Sequence, residues 1–463
     1  MKDTKVKKGS KLGAVPIPKL LFSMSLPAII SMMIQAMYNV VDSIFVAQVG
    51  EEALTAVSLA FPIQILIISC FVGMGIGINS AISRRLGENK KSEAANVAEH
   101  GFIIAIILSI ALAVMGFFIS EPFIRLFTDN ALIISEGRIY LLIVTIFAFG
   151  SIITQAAFAT LQGSGEMIKP MIGQIIGAVS NIILNPILVF GLIGFPALGV
   201  AGSAIATVSG QMLGMIYMLL VVFKGKHNYL KLDYKTYHYE SAIVKDIVKV
   251  GLPAAIMQGL GSVMITGYNL ILAGFGMSAV AVFGVYFKVQ SFIFMPIFGL
   301  GQGAMPIFGF NFGAKNQARF YETLKVAVTA AFAFMCLGTV LFWIFPTQIM
   351  MAFNPSPEMM EIGVHCLRAI SLAFPVAGVS IMISVSFQAI GKAYVSMVAS
   401  FIRQMIVLLP VSFVLAQIGG LDLVWYGFII SEFFCLAYEL WMYRKFKTTI
   451  FDNWTTAPVA VQA

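Results

Sequence analysis

The sequence predicts an all-α integral membrane protein with twelve transmembrane helices in two six-helix lobes, related by a pseudo-two-fold axis along the membrane normal. Of its 463 residues, 59% are hydrophobic and only 11% are charged, whereas a soluble domain carries about 25% charged residues. The chain also repeats itself, because a shift of 226 positions carries Pro27 in SLPAIISMM onto Pro253 in GLPAAIMQG. Two homologous membrane halves are typical of transporters, whose sites lie between or within the halves.

The repeat extends along most of the chain, as the glycines show. Eight glycines of the first half fall on glycines of the second half at the same shift, and random placement would give roughly two such coincidences. Gln162 in LQGSG likewise falls on Gln388 in FQAIG. The glycine pairs are Gly50 with Gly276, Gly73 with Gly299, Gly75 with Gly301, Gly77 with Gly303, Gly87 with Gly313, Gly137 with Gly363, Gly165 with Gly391 and Gly194 with Gly420.

Apolar stretches long enough to cross a bilayer, about 20 residues, predict the twelve spans in order. In the first half they fall near 20–48, 54–82, 95–120, 138–161, 168–190 and 197–223. In the second half they fall near 246–274, 279–309, 324–347, 361–389, 394–417 and 422–444. Six spans per half is an even number, so both halves insert with the same orientation and the axis that relates them runs along the membrane normal.

The domain organisation follows from these spans. We expect a cytoplasmic N-terminal segment (1–19), an N-lobe (20–223), a cytoplasmic linker (224–245), a C-lobe (246–446) and a cytoplasmic tail (447–463). Lysine and arginine concentrate at the N-terminus, in the linker and in alternate loops such as SRRLGENKKSEA, while the remaining loops carry almost none. The positive-inside rule predicts a multi-pass protein of the cell membrane with both termini in the cytoplasm.

Several functional classes are disfavoured by what the sequence lacks. The net charge of +8 is spread over the loops between apolar spans, so it indicates membrane orientation and not nucleic-acid binding. The four cysteines are isolated, with no disulfide or zinc spacing. We find no cleavable signal, nucleotide-binding loop or nucleophile elbow. We therefore expect that the protein is not an enzyme and binds no cofactor. We expect an ion gradient to be its source of energy.

A charged side chain at membrane depth is a functional candidate, because it costs about 2.5–3.5 kcal/mol to insert. Asp42 stands out in IQAMYNVVDSIFVAQVG, within the first span. Gln35, Tyr38 and Asn39 precede it at helical spacing, so the four residues form a polar stripe on one helix face. We expect Asp42 to take part in ion coupling and the other three residues to line a substrate cavity.

Two further helices of the first half place polar groups at a similar depth. Asn181 and Asn185 lie four residues apart in span five, and Ser203 and Thr207 lie four apart in span six. Together with Asp42 they would give a carboxylate, amides and hydroxyls at one level of the membrane. Hydrogen bonding between helices is the alternative interpretation of the two pairs.

The second half carries a different set of charges. Lys288 lies within span eight and Arg403 within span eleven. We expect both to line the substrate cavity, and pairing with an acid is the alternative for Lys288. Glu432 and Glu439 lie in span twelve. Because Glu439 is near the end of its predicted span, we expect it to be interfacial.

The motifs together resemble the MATE family of multidrug and toxic compound extrusion transporters, and within it the bacterial branch that contains DinF and MepA. The resemblance covers about residues 15–445. It rests on the first span, on GMGIGINSAISRRLGENK with its repeat GLGQGAMPIFGFNFGAKN, and on the segments TLQGSGEMIKPM, NIILNPILVFG and GVAGSAIAT.

This resemblance implies efflux of cationic amphiphilic drugs or toxins in exchange for protons or sodium, and thus a part in antibiotic resistance. The family's first-helix aspartate matches Asp42, its helix-five asparagine matches Asn181, and its helix-six hydroxyl matches Ser203 or Thr207. Asn185 departs from the family, which usually has an aspartate there. With one carboxylate left, we expect proton coupling by a monomeric antiporter that contacts only lipid and its small-molecule substrates.

A lipid-linked oligosaccharide flippase of the same superfamily is the alternative function. Such a protein handles a pyrophosphate, which calls for several basic side chains in the N-lobe cavity. The N-lobe spans instead carry Asp42 and no deep basic residue, so the sequence favours efflux.

Overall fold

The computed structural model describes residues 11–225, 230, 232 and 237–451, except for the side chains at 39, 40, 43, 47, 51, 450 and 451. This part of the chain is almost entirely helical. We label the twelve long helices α1 to α12 and divide α4 and α10, which are broken, into a and b.

The first half contains α1 Ile17–Val49, α2 Glu51–Gly87, α3 Lys91–Arg125, α4a Ala131–Ile146, α4b Phe149–Gly163, α5 Ile168–Phe190 and α6 Gly199–Lys224. The second half contains α7 Ser241–Ala273, α8 Met277–Gly313, α9 Gln317–Ile344, α10a Pro357–Ser371, α10b Phe374–Ala389, α11 Ala393–Val424 and α12 Gly427–Phe446. Short helical segments at Lys11–Ala14, Leu192–Gly194, Pro346–Met351 and Lys447–Phe451 complete the described chain.

The length and composition of these helices suit a membrane. In the described residues, ten helices are long and apolar enough to cross a bilayer, and α10a with α10b gives an eleventh span, bent by 45°. The remaining long helix, α12, is 20 residues long, which is the length of a span. Its interior includes Glu432 and Glu439, and both are buried.

The two halves repeat one another in detail. Helices α2 and α8 begin and end at positions exactly 226 residues apart. The break in α4 falls at residues 147–148 and that in α10 at 372–373, which agree within one residue after the same shift. The repeat detected in the glycines is therefore a repeat of helix bounds and helix breaks.

The lobes exchange the first turns of their leading helices. The start of α1, around Leu20 and Met24, joins the hydrophobic core of the C-lobe. The start of α7, around Ile243 and Ile247, joins the core of the N-lobe. Each lobe is thereby anchored to the other at the end of the molecule that carries the lysine- and arginine-rich loops, which we call the basic end.

Repeated glycines allow the helices of the two lobes to touch at this end. A Cβ atom on Gly73 of α2 would lie 2.5 Å from the carbonyl oxygen of Gly251 in α7. A Cβ atom on Gly299 of α8 would lie 2.6 Å from the Cα of Ile29 in α1. Since neither space admits a side chain, these glycines permit two equivalent close contacts on either side of the pseudo-two-fold axis.

The contact ends one helical turn further along α7. A Cβ atom on Gly259 would find nothing within 4 Å, although Gly251 and Ala255 on the same side of the helix touch Gly73. We infer that the lobes separate towards the end opposite the basic loops, with a cleft between them on that side.

Charged side chains add to the closure of the basic end. Arg84 donates from Nη2 to Asp246 Oδ1 over 2.9 Å, and Arg85 donates from Nη1 to Asp246 Oδ2 over 2.7 Å. The arginines belong to α2 and the aspartate to α7, so this triad joins the lobes. Its side chains are 14–21% exposed, which limits screening by solvent.

Candidate functional site

The candidate site lies inside the N-lobe, where α1, α5 and α6 meet. Helices α5 and α6 approach closely because Gly177 and Gly210 face one another, and a Cβ atom on Gly210 would lie 2.5 Å from the Gly177 carbonyl oxygen. One turn beyond this contact, Asn181 and Thr207 point from the two helices towards each other. The glycine crossing thus determines the level at which the polar side chains meet.

Asp42 of α1 is held by one side chain from each of the other two helices. Its Oδ1 accepts a hydrogen bond from Asn185 Nδ2 over 2.5 Å and another from Ser203 Oγ over 3.1 Å. Both donors are fully buried. Hydrogen bonds of this kind stabilise the charged form of a carboxylate, so α5 and α6 are positioned to respond to the charge on Asp42.

A further hydrogen bond lies beside the group formed by Asp42, Asn185 and Ser203. Asn181 Nδ2 donates to Thr207 Oγ1 over 3.0 Å, and Tyr38 lies next to the same hydroxyl. The two hydroxyls that the sequence left as alternatives therefore have different partners. Ser203 contacts the carboxylate, and Thr207 contacts the amide and the tyrosine.

Two amide oxygens in the site accept no hydrogen bond from the described side chains. Asn181 Oδ1 and Asn185 Oδ1 are buried, and no described group donates to either. An unpaired buried acceptor costs about 1–3 kcal/mol. The site therefore holds one carboxylate together with two neutral oxygens that can receive a donor or a cation.

A row of amides and phenols continues along the interior of the N-lobe. Gln174 Nε2 of α5 donates to Gln35 Oε1 over 2.6 Å, and Gln64 Nε2 of α2 donates to Tyr140 over 3.0 Å. Gln174 was missed by the sequence analysis, although it precedes Asn181 by seven residues and so shares its helix face. The side chain of Asn39, predicted to line the cavity, lies outside the described residues.

The structure places the C-lobe candidates apart from this cluster. Lys288 is exposed on α8. Arg403 of α11 forms an ion pair with Glu432 of α12, with 3.3 Å between Nη1 and Oε1. The expectation that Glu439 is interfacial is wrong, because its residue exposure is 0% and it is hydrogen-bonded to two serines of α10b.

Metal chemistry has little support in this part of the chain. The described residues contain no group of three or more histidine, cysteine, aspartate or glutamate side chains that could hold a metal ion. All four cysteines, which are described, are free. The polar side chains that meet inside the N-lobe are instead one carboxylate, two amides and two hydroxyls.

The arrangement of two six-helix lobes, a cleft open at one end and a carboxylate inside one lobe is that of a membrane transporter. The MatE family model matches residues 27–187 and 253–414, one stretch in each half. The chain therefore belongs to the MatE family of multidrug efflux transporters. It is a multi-pass membrane transporter and not an enzyme, and the predicted fold class and family are confirmed.

Individual relatives agree with this assignment. The chain is 26% identical to the multidrug export protein MepA of Staphylococcus haemolyticus, over 90% of this chain and 91% of the relative. It is 25% identical to a protein named FAD transporter from Shewanella oneidensis, over 88% and 90%. A solved structure of a multidrug resistance MATE transporter of the MOP superfamily, in an outward-facing conformation, superposes with a TM-score of 0.90 at 25% identity, over 96% of this chain and 99% of the other.

Proposed function

We propose that the protein is a proton-coupled antiporter that exports cationic amphiphilic compounds by alternating access. The observation that carries this proposal is Asp42, a carboxylate inside the N-lobe with one donor from α5 and one from α6. A proton needs only a single carboxylate, and Asp42 is the one acid that the described contacts place in this cluster. A cationic substrate and a proton would compete for the same negative charge.

Protonation of Asp42 would change the packing of three helices. As an anion, its Oδ1 accepts from Asn185 and Ser203 at once. A neutral carboxyl group attracts these donors less and carries a donor of its own, and the unpaired Oδ1 of Asn185 is an acceptor close by. Rearrangement of these bonds would shift α1 relative to α5 and α6, and so link the charge on Asp42 to the shape of the cleft.

The orientation of the chain in the membrane determines which side the cleft faces. The positive-inside rule supports a cytoplasmic position for the basic end. The closed glycine contacts and the Arg84–Asp246 pair lie at that end, so the conformation described here would face outwards. Lys90→Cys and Glu52→Cys, in a cysteine-free background, test this with an impermeant thiol reagent on intact cells. Labelling at 52 alone is expected, and labelling at 90 alone would reverse the orientation.

Sodium is the second candidate for the coupling ion. It is favoured by the two unpaired amide oxygens, Asn181 Oδ1 and Asn185 Oδ1, because hard cations take oxygen ligands. The amide nitrogen of Asn185, however, faces Asp42, and a shared sodium ion would require its oxygen there. The contact as it stands therefore supports proton coupling.

Everted membrane vesicles with one gradient imposed at a time would decide between the two ions. Ethidium serves as the cationic probe, and vesicles that contain Asp42→Asn at equal expression serve as the control. We expect uptake to follow an imposed proton gradient without sodium and to stop when an uncoupler is added. Uptake that follows a sodium gradient at fixed pH and is insensitive to the uncoupler would overturn the proton assignment.

The substrate class needs its own test, because two relatives point to different cargo. The names of the MepA relatives and of the flavin relative refer to multidrug export and to FAD transport respectively. A carboxylate in the N-lobe supports a cationic substrate over an anionic dinucleotide. Growth of an efflux-deficient host against dyes and quaternary ammonium biocides should improve when the protein is expressed. FAD accumulation outside the cells without such protection would contradict the proposal, and so would rescue of a cell-wall defect, the outcome expected of a flippase.

A further inference from the structure

Inside the C-lobe, three helices bring together charged and hydroxyl groups that the N-lobe mechanism does not use. Glu439 Oε2 accepts from Ser380 Oγ over 2.8 Å, and Glu439 Oε1 accepts from Ser384 Oγ over 2.5 Å. Arg403 lies opposite, paired with Glu432. We call these five residues the C-lobe acid cluster.

The cluster contains one more acid than base. Arg403 neutralises one of the two carboxylates, which lie seven residues apart on the same face of α12. Among the described residues, the other titratable groups nearby are Cys435 and Tyr438 on α12, Tyr286 on α8 and, beside Tyr438, Tyr394 on α11. These side chains are ordinarily neutral. Helix α10b contributes only its serine hydroxyls. A lobe interior that buries an unpaired negative charge is costly, so the cluster needs one additional positive charge.

The surroundings of Glu439 suit reversible protonation of its carboxyl group. A serine hydroxyl can donate to a carboxylate, and it can equally accept from a carboxyl O–H. Because one serine lies at each oxygen of Glu439, both protonation states can be hydrogen-bonded without movement of the helices. The 2.5 Å separation to Ser384 is in the range of a charge-assisted O–H···O bond.

The same distances argue against a metal cation between these oxygens. Hard cations of calcium size stand about 2.3–2.6 Å from their oxygen ligands, so two ligands that meet at a right angle are about 3.3–3.7 Å apart. The serine and carboxylate oxygens are 2.5 and 2.8 Å apart. Each serine oxygen is therefore hydrogen-bonded to a carboxylate oxygen, and no room is left for an ion between the two atoms.

Glu432 offers a neighbouring acceptor towards the open end of the molecule. Its Oε2 is buried and receives no hydrogen bond from a described group. Its partner Arg403 lies in a π-helical segment, Ile402–Leu408, just before Pro410 in α11. Proline cannot donate its part of the helix ladder, which accounts for the irregular turn, and such turns are frequent at functional sites.

We propose that Glu439, hydrogen-bonded to Ser380 and Ser384 and balanced by the Arg403–Glu432 pair, is a second proton-binding site of this transporter, separate from Asp42. The role of Glu439 in transport rests on the proposed proton coupling. In that role, Glu439 adds a second proton to each transport cycle.

Infrared difference spectroscopy of the purified full-length protein, recorded during a pH titration, tests the site directly. A carboxyl group gains a carbonyl-stretching band when it is protonated. We expect two buried carboxyl bands in the wild type, of which Asp42→Asn removes one and Glu439→Gln removes the other. The exposed Glu361 provides a matched control, since Glu361→Gln makes the same chemical change and should remove neither buried band. Ser384→Ala keeps Glu439 and should shift its band in frequency without removing it. This variant therefore tests the site even if the Glu439→Gln protein does not fold.

The outcomes separate this inference from the coupling proposal. If the spectrum of a folded Glu439→Gln protein matches that of the wild type, Glu439 does not titrate and the inference is wrong, while the role of Asp42 stands. If Ser384→Ala leaves every band in place, the inference is likewise overturned. The coupling proposal fails separately, if Asp42→Asn retains gradient-driven uptake.

Discussion

The interiors of the two lobes differ most at equivalent positions of the repeat. Asp42 of α1 corresponds to Tyr268 of α7, 226 positions later. Where Asp42 accepts two hydrogen bonds from polar side chains, Tyr268 donates to the Val424 carbonyl over 3.0 Å and stacks on Phe283 with 4.6 Å between ring centroids. Asn181, Asn185, Ser203 and Thr207 correspond in the same way to Val407, Val411, Ile429 and Phe433.

The contrast shows which part of the repeat the fold depends on. The glycines at the lobe interface match in both halves, because each permits a helix contact that closes the basic end. The lobe interiors carry no such constraint, so one is polar at this level and the other is filled by aromatic rings. In the C-lobe, Arg403 and Glu439 correspond to Gly177 and Leu213, which lie nearer the basic end, whereas Glu432 corresponds to Ala206 at the level of the N-lobe site.

Asn185→Leu should give the largest of the effects that we predict for this comparison. It removes the closest donor to Asp42, and a hydrogen bond to a charged group contributes about 1.5–3 kcal/mol. We expect driven ethidium uptake to fall by about 10- to 100-fold at equal expression. Val411→Leu, the equivalent position in the C-lobe, should leave uptake within about twofold of the wild type. Equal losses in both variants would show that the lobes do not differ in this way.

Gly73→Ala compares the closed end with the open end. Its Cβ would collide with the backbone of α7, and overpacking of this kind costs about 1–3 kcal/mol. We expect a lower melting temperature by fluorescence and a wider separation of the lobes at the basic end by spin-label distances. Gly259→Ala is the matched control, because its Cβ meets nothing within 4 Å and alanine favours a helix by about 1 kcal/mol. A stable, unchanged Gly73→Ala protein would contradict the packing described here.

Asp246→Asn should open the basic end more gently. It weakens the bonds from Arg84 and Arg85, which are partly exposed and so worth about 1 kcal/mol after screening. Spin labels across the lobes should report about a fivefold shift of population away from the state that is closed at the basic end. High salt should produce part of the same shift in the wild type. The salt bridge would have no role in closure if the distance distribution were unchanged.

Tyr268→Phe should have the smallest effect on transport. It removes one buried hydrogen bond and keeps the ring, at a cost of about 1 kcal/mol in stability. We expect a slightly lower melting temperature and unchanged ethidium uptake. If uptake collapsed instead, the aromatic site of the C-lobe would share the work assigned to Asp42.

Much of the N-lobe site could be predicted because its signals are local. Asp42 is a charge in an apolar helix, and the pairs Asn181 with Asn185 and Ser203 with Thr207 each share a helix face by their spacing. The meeting of the three helices depends on tertiary packing, yet the similar depth of the polar groups already suggested it. The repeat was equally visible, since close helix contacts require glycine at fixed positions.

The C-lobe acid cluster could not be predicted from the sequence in the same way. The hydroxyl partners of Glu439 are Ser380 and Ser384, more than 50 residues earlier in the chain. Serine is common in membrane helices and gives no signal of its own. Position near the end of α12 indicated an interfacial acid, and only the packing of α10b over that end shows that it is buried. The π-helical turn before Pro410 was likewise invisible, because proline alone predicts a simple kink.

Proton-gradient-driven ethidium uptake into proteoliposomes, measured without sodium, tests the central claim that coupling resides at the N-lobe carboxylate. Wild type, Asp42→Asn and Tyr268→Phe are reconstituted at equal amounts, and ethidium uptake is followed before and after the gradient is imposed. We predict that the gradient accelerates uptake equally in the wild type and Tyr268→Phe and has no effect in Asp42→Asn. A folded Asp42→Asn protein that responds to the gradient as the wild type does would contradict the account.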